Sequence, residues 1–311
     1  QACARQRHGF RRVDAANCSV GVLAAHKHTP QRPLGRHVVG ELARQGVRIR
    51  AAERRPDLAG HLQPLGGVGQ IMPVQANLRY PDSVARAVEG ADAVINLVAI
   101  LGERGRQTFQ ALHVDGARTV ARSATAAGAA TFVHVSAIGA DPAGGSRYAR
   151  SKAAGEAAVF AEFPLAIVLR PSIIFGPDDQ FFNRFAALAE TAPILPAIGG
   201  GRTRLQPVYV ADVARAIAAA VEGRARPGTI YELGGPEIRS FREFLNLTMS
   251  WAGRRRPLLP LPFSLAKLGA ALTKPLPLSW RPLTVDQVRS LQSDNIVSEA
   301  AKRDGRTLSG L

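Results

Sequence analysis

The chain has 311 residues, 46% hydrophobic and 21% charged, with a formal net charge of +16. That length suits one large α/β unit or two coupled ones. The composition excludes collagen, coiled coil and a disulfide-stapled mini-protein. The greasiest region, 258–280, is broken by Lys267, Lys274 and several prolines, so no transmembrane span is expected.

Only five of the forty basic residues are lysine. The arginines are scattered, with Arg254-Arg255-Arg256 the one triplet. Nucleic-acid binding calls for a basic stripe or a recognisable module; neither is present, and no nucleic acid is expected. A basic face towards acidic phospholipid, or towards an acidic protein partner, suits the charge equally well. Cys3 and Cys18 both fall near the start, so no disulfide framework or metal site is expected.

Residues 1–33 read as an atypical N-terminal segment. Arg5, Arg7, Arg11, Arg12, Lys27 and Arg32 face one acid, Asp14, and no period of 2 or 3.6 is sustained. Its charge is that of a transit peptide, without the amphipathic helix. Val20-Gly21-Val22-Leu23 is its one candidate strand.

From Leu34 the pattern is regular. Gly35–Gln45 has helical spacing and is closed by Gly46, the residue favoured at a helix C-terminus. Strands are expected at 47–52 and 71–74, and a short helix at 83–90. Ala93–Val98 is a continuous apolar strand, as burial on both faces requires. A long helix over 106–127, a buried strand at 131–136, a helix over 148–161 and a strand at 165–169 follow. This alternation predicts an α/β fold, a doubly wound parallel Rossmann-type sheet over 34–175. Helical stretches near 180–191, 210–222, 240–253 and 283–293 then alternate with Pro/Gly-rich loops. They predict a smaller α/β lobe over 176–298, seated on the carboxyl ends of the sheet, and a tail at 299–311.

Ser136, Tyr148 and Lys152 carry the chemistry. Tyr148 and Lys152 are four apart, so on a helix they share a face. A neighbouring ammonium favours the phenolate and brings proton transfer into range near neutral pH. Ser136 ends a buried strand, where a hydroxyl reaches a substrate oxygen. An ordinary surface Tyr/Lys face is the plainer alternative, and the βαβ setting weighs against it. His113, alone in the long helix, reads as a satisfied structural histidine.

With Leu169–Pro177 and Gln206-Pro-Val-Tyr-Val-Ala-Asp212, the Ser136–Tyr148–Lys152 set resembles an extended or atypical short-chain dehydrogenase/reductase. His134–Asp141, Gly199–Pro207, Tyr231–Pro236, Leu283-Thr-Val-Asp-Gln287 and Asp294-Asn295-Ile-Val-Ser298 narrow the likeness. They resemble the Rossmann-type accessory subunit of respiratory complex I and its bacterial relatives, from about Leu34 to Ser298. The resemblance implies NADP(H), complex I subunits as partners, and a structural or assembly role. The implied place is the periphery of a bacterial inner membrane, on its cytoplasmic face, or the matrix side of a mitochondrial one. It also leaves open an active NADP-dependent reductase or epimerase, with Tyr148 as acid/base, Lys152 lowering its pKa and Ser136 positioning substrate. A branch of the family is implicated in ubiquinone biosynthesis. A basic phospholipid or nucleic-acid binder is the distant third reading, for which only the charge speaks.

The expected cofactor residues are Gly35, Arg54, Arg55, Asn77, Ala99, Lys152, Arg170 and Pro171. Dinucleotide folds open with three spaced glycines, because only glycine lets the backbone approach the pyrophosphate. Gly35 matches the third; His28–Arg32 supply no other. The favoured reading is a frameshift or misassigned start that replaced the true N-terminus; the other is loss of the loop in this copy. Arg54 and Arg55 follow strand two, where an arginine accommodates a 2′-phosphate, which favours NADP over NAD. An exposed arginine pair is the plain alternative. Asn77 stands where relatives often carry an acid near the adenine, and Ala99 where they often carry glycine. The apolar 257–282 segment reads as a docking surface or as ordinary lobe core.

Overall fold

The computed structural model describes residues 18–23, 33–177, 179, 181–273 and 283–311. Its centre is a seven-stranded sheet in which every pairing is parallel. The strands are β1 (Ser19–Leu23), β2 (Arg48–Glu53), β3 (Ile71–Gln75), β4 (Ala93–Asn96), β5 (Thr131–Val135), β6 (Ile167–Pro171) and β11 (Ile230–Leu233), in the order 3-2-1-4-5-6-11. The order reverses between β1 and β4, so the crevice outside their carboxyl ends is the place for a ligand.

β1 and β4 are buried along nearly their whole length. β1 pairs with both β2 and β4, so the sheet begins at Ser19 and not at Leu34. Composition had set residues 1–33 apart, yet Val20, Val22 and Leu23 are core. Four apolar residues with neighbours on both sides suffice for a central strand, whatever the charge of what precedes them. Cys18, just before it, is a buried free thiol whose pKa burial and Asp92 push up to about 11. Cys3, residues 24–32 and residues 274–282 lie outside the described residues.

Helices cover both faces. On one lie α1 (Pro33–Arg44) and α6 (Val210–Val221), packed together with β11. On the other lie α2 (Pro81–Val88), α3 (Gly116–Ala126) and α4 (Arg147–Glu162). α6 and β11 thus return from beyond residue 175 to complete the first layer system. An aromatic core of its own, with Phe182, Phe185, Phe241 and Phe244, holds the remainder. Its helices are α5 (Phe182–Thr191), α7 (Phe241–Trp251), α8 (Phe263–Leu272) and α9 (Val285–Ser290).

The long helix expected over 106–127 begins as a π turn, Gln110–Asp115, and continues as α3. α4 crosses this turn closely: a Cβ on Gly155 would lie 2.2 Å from the His113 carbonyl oxygen. Glycine there is a packing requirement. Arg170 on β6 clamps α4 from the other side, its Nε and Nη2 donating to Glu156 at 2.9 and 2.6 Å. Burial opposes the Arg170 charge, but Glu156, helped by Glu232, holds its pKa above the ordinary arginine value.

β4 and β5 set Asn96 opposite His134, and Asn96 Nδ2 donates to His134 Nδ1 at 3.2 Å. His134 is fully buried; desolvation, then the positive charge of Lys152, lower its pKa well below 6.5. The folded protein therefore refuses a proton that the unfolded chain accepts below about pH 6.5. Stability from this neutral histidine is complete above that pH and is lost as pH falls. Urea unfolding between pH 7 and 5 is expected to steepen towards about 1.4 kcal/mol per pH unit, a slope that His134→Gln removes. An unchanged slope in the variant assigns the loss to other groups.

Candidate functional site

Two elements meet at the carboxyl end of β5. β5 delivers Ser136 just past its last residue, because Ser136 N donates to Leu169 O at 2.7 Å and continues the parallel ladder. Ser136 is buried, and its Oγ has no hydrogen-bond partner among the described residues. Such an orphan costs about 1–3 kcal/mol, and a ligand oxygen there would satisfy it.

α4 delivers Tyr148 and Lys152. Its N-cap Ser146 accepts from Ala149 N at 3.0 Å. Lys152 is 2% exposed and donates from Nζ to Val135 O at 2.9 Å, the residue beside Ser136. Tyr148 is half-buried, its ring edge-on to Phe109 and to His113, with centroids 6.0 and 5.5 Å away. Ser136 and Lys152 thus meet at the end of β5, and Tyr148 lies one helical turn before Lys152.

His113 is satisfied at both nitrogens. Nε2 accepts from Ile100 N at 3.0 Å, and Nδ1 lies 2.8 Å from Ser151 Oγ, which itself donates to Tyr148 O. That chain of donors makes Nδ1 the protonated nitrogen. The histidine fixes the loop after β4 to the helix of Tyr148.

The expected cofactor residues spread along the carboxyl edge of the sheet. Gly35 is buried in the first turn of α1, where an anion meets free backbone N–H groups. Ala99 is half-buried in the loop after β4. Asn77, after β3, is used locally: its Oδ1 accepts from Arg79 N and its N–H donates to Ser83 Oγ. Arg55 is exposed and grips Asp57 through Nε and Nη2, at 3.0 and 2.7 Å. The Arg170 side chain is engaged by Glu156, with Glu232 3.8 Å away, and Pro171 is buried beside it. The glycine-loop question falls on residues 24–32, outside the described residues.

Sequence reasoning passed over two acids. Glu53 is the last residue of β2 and 1% exposed, at the position where an acid meets a ribose 2′-hydroxyl. The Arg-Arg pair is the louder signal beside it, although a strand of alternating polarity ending in an acid is readable. The second is Asp286, whose carboxylate accepts from Arg147 N and Tyr148 N at 2.7 and 2.9 Å. No local sequence signal joins residues 138 or more apart. A cleft of about 420 Å³ opens beside it, lined among others by Glu103, Phe109, Arg147, Ala271 and Arg289.

Among the described residues no group of three His, Cys, Asp or Glu side chains is placed to hold a metal. The orphaned Ser136 hydroxyl, the buried Lys152 ammonium and Gly35 at the start of α1 fit a nicotinamide dinucleotide laid across the β1/β4 crevice.

The chain is similar to a plant mitochondrial protein of Arabidopsis thaliana named NADH dehydrogenase [ubiquinone] 1 alpha subcomplex subunit 9. Identity is 34% over 305 residues, 94% of this chain and 76% of that protein. It is also 35% identical to a ceramide reductase of Caulobacter vibrioides, over 60% of this chain and 57% of the relative. An NADPH-dependent quinone oxidoreductase of Escherichia coli, solved with NADPH, shares the fold at a TM-score of 0.68. Identity there is 20%, covering 93% of this chain and 97% of the other. The sequence pattern of one family matches residues 33–234. With that pattern covering well over half of the chain, the chain belongs to the NAD dependent epimerase/dehydratase family.

Proposed function

We propose that this chain holds NADP(H) and serves as a structural or assembly subunit of respiratory complex I, NADH:ubiquinone oxidoreductase. The carrying observation is the likeness to subunit 9 along 94% of the chain, running past the family pattern into the C-terminal lobe. The motifs in that extension are built into the fold. Asp294 accepts from Arg204 N and Nε, both at 2.8 Å, and Asn295 bonds Ser172 Oγ at 2.6 Å. No helix among the described residues is long and apolar enough to cross a membrane. A peripheral place at the cytoplasmic face of a bacterial inner membrane, or its matrix equivalent, goes with this reading.

Gly35, Ala99, Lys152 and the backbone at Arg170–Pro171 would line the dinucleotide, with Asn77 towards the adenine. Arg54, half-buried just after β2, would meet a 2′-phosphate there. When bound, such a cofactor gives or takes a hydride. Ser136 Oγ would orient a substrate oxygen, and Tyr148 would move a proton with Lys152 favouring its phenolate.

That chemistry supports a second reading, an active NADP-dependent reductase. The orphaned Ser136 hydroxyl favours it, as does the likeness to a protein named ceramide reductase.

Three outcomes decide between these readings. On blue-native gels of mildly solubilised membranes, a chromosomally tagged copy is expected to co-migrate with NADH dehydrogenase activity after a high-salt wash. A salt-stripped or wholly separate protein overturns the subunit reading. Titration of the purified chain with NADPH and NADH is expected to favour NADPH, and Arg54→Ala to weaken NADPH about ten- to hundred-fold with NADH unchanged. Equal affinity for both would assign the end of β2 to Glu53 instead. Tyr148→Phe is expected to leave complex I assembly and respiration intact; loss of a physiological NADPH-linked reduction in that variant moves the case to the reductase.

A further inference from the structure

We infer that Asp286 is a positioning residue for Tyr148, holding the N-terminus of α4 from the C-terminal lobe. The inference rests on Tyr148 and Lys152 acting as a proton-transfer pair.

The first turn of a helix presents four amide donors without internal partners. In α4 three of them are taken from two sources. Ser146 takes the Ala149 amide through Oγ at 3.0 Å, while Arg150 N makes the first internal bond, to Ser146 O at 3.2 Å. Asp286 takes two more, Arg147 N on Oδ1 at 2.7 Å and Tyr148 N on Oδ2 at 2.9 Å. The carboxylate is free for this because α9 is capped by other residues. Thr284 accepts from Gln287 N, and the Gln287 side chain accepts from Thr284 N. The backbone of Tyr148 itself is therefore gripped by an acid 138 residues away, whose negative charge also suits a helix N-terminus.

The grip meets the phenol's other supports. From the π turn, His113 and Phe109 bound the ring. From α4, Lys152 lies one turn on and Arg147 one residue before, the latter paired with Glu103 at 2.8 Å. Asp286 and Arg147 share a wall of the cleft with Thr284, Val285 and Arg289. Displacing α9 moves the Tyr148 backbone relative to Lys152, whose ammonium is anchored on the sheet through Val135 O.

The charge and the position of Asp286 act on the phenol with opposite signs. Removing a nearby negative charge lowers a phenol pKa, whereas drawing the phenol away from Lys152 raises it. The chain has four tyrosines, so 13Cζ-tyrosine NMR resolves each titration, with Tyr148→Phe assigning its signal. In the wild-type protein Tyr148 is expected below the ordinary value of about 10. Asp286→Asn, which leaves one amide without an acceptor, is expected to move it up by about one unit. Asp286→Glu keeps the charge and both acceptors on a longer arm. Any upward shift there is positional, and this variant carries the test if Asp286→Asn does not fold. A lower melting temperature with Tyr148 unmoved in both variants makes Asp286 a helix cap only and overturns the inference. So does a downward shift in Asp286→Asn with none in Asp286→Glu. A wild-type Tyr148 at or above its ordinary value overturns the proton-transfer pair first, and this inference with it.

Discussion

Lys152 is a cation placed almost wholly out of water, and the geometry around the site follows from accommodating it. Removing an ammonium from solvent costs several kcal/mol unless oxygen atoms receive its protons. The Val135 carbonyl supplies one at 2.9 Å, which requires α4 to lie close against the end of β5. Gly155 permits that approach at the π turn, where any side chain would strike the His113 carbonyl. On the far side, the Arg170–Glu156 pair fixes the same helix to β6. His134 then sits near a fixed positive charge in a dry core and stays neutral. Each of these features is a condition for, or a result of, one buried charge.

Much of this was legible in the sequence because it depends on local pattern. The apolar runs at 93–98 and 131–136 marked strands buried on both faces, and the four-residue spacing of Tyr148 and Lys152 placed them on one helical face. Gly46 closed α1 with φ near +80°, as its position foretold. The π turn at 110–115 was not legible, since its apolar spacing is that of an ordinary helix and the widening is imposed by α4 packing against it. β1 is readable as a candidate strand, but the stretch from it to Gly35 reads as several residues too long for the glycine loop and rich in Pro and His. Its neighbours in the sheet, not its flanks, decide that it is central.

The long-range ties were the least legible. Asp286 meets Tyr148, Asp294 meets Arg204, and Asn295 meets Ser172. In sequence these residues stood out only as motifs shared with relatives, without a reason for being there. The structure gives each a task, tying the C-terminal segment to the start of α4, to Arg204 within the lobe and to the end of β6. Glu53 was not legible for another reason: the Arg54-Arg55 pair beside it is the louder charge signal, and only burial marks out the acid that ends β2.

The two functional readings make different demands on the same atoms. A purely architectural subunit needs Lys152, Gly155 and the Arg170–Glu156 clamp, because they hold α4 to the sheet. It has no use for the Ser136 hydroxyl, which accepts and donates nothing among the described residues. Burying such a group costs about 1–3 kcal/mol, and alanine would remove that cost without changing the shape of the strand end. A ligand oxygen at Ser136 offsets it in either reading. Ligand binding is therefore the requirement that a subunit and a reductase share, and turnover is the point on which they part. The grip of Asp286 on Tyr148 bears on turnover, because holding a helix N-terminus asks only for an acceptor, whereas fixing a phenol beside an ammonium asks for that acceptor in one place.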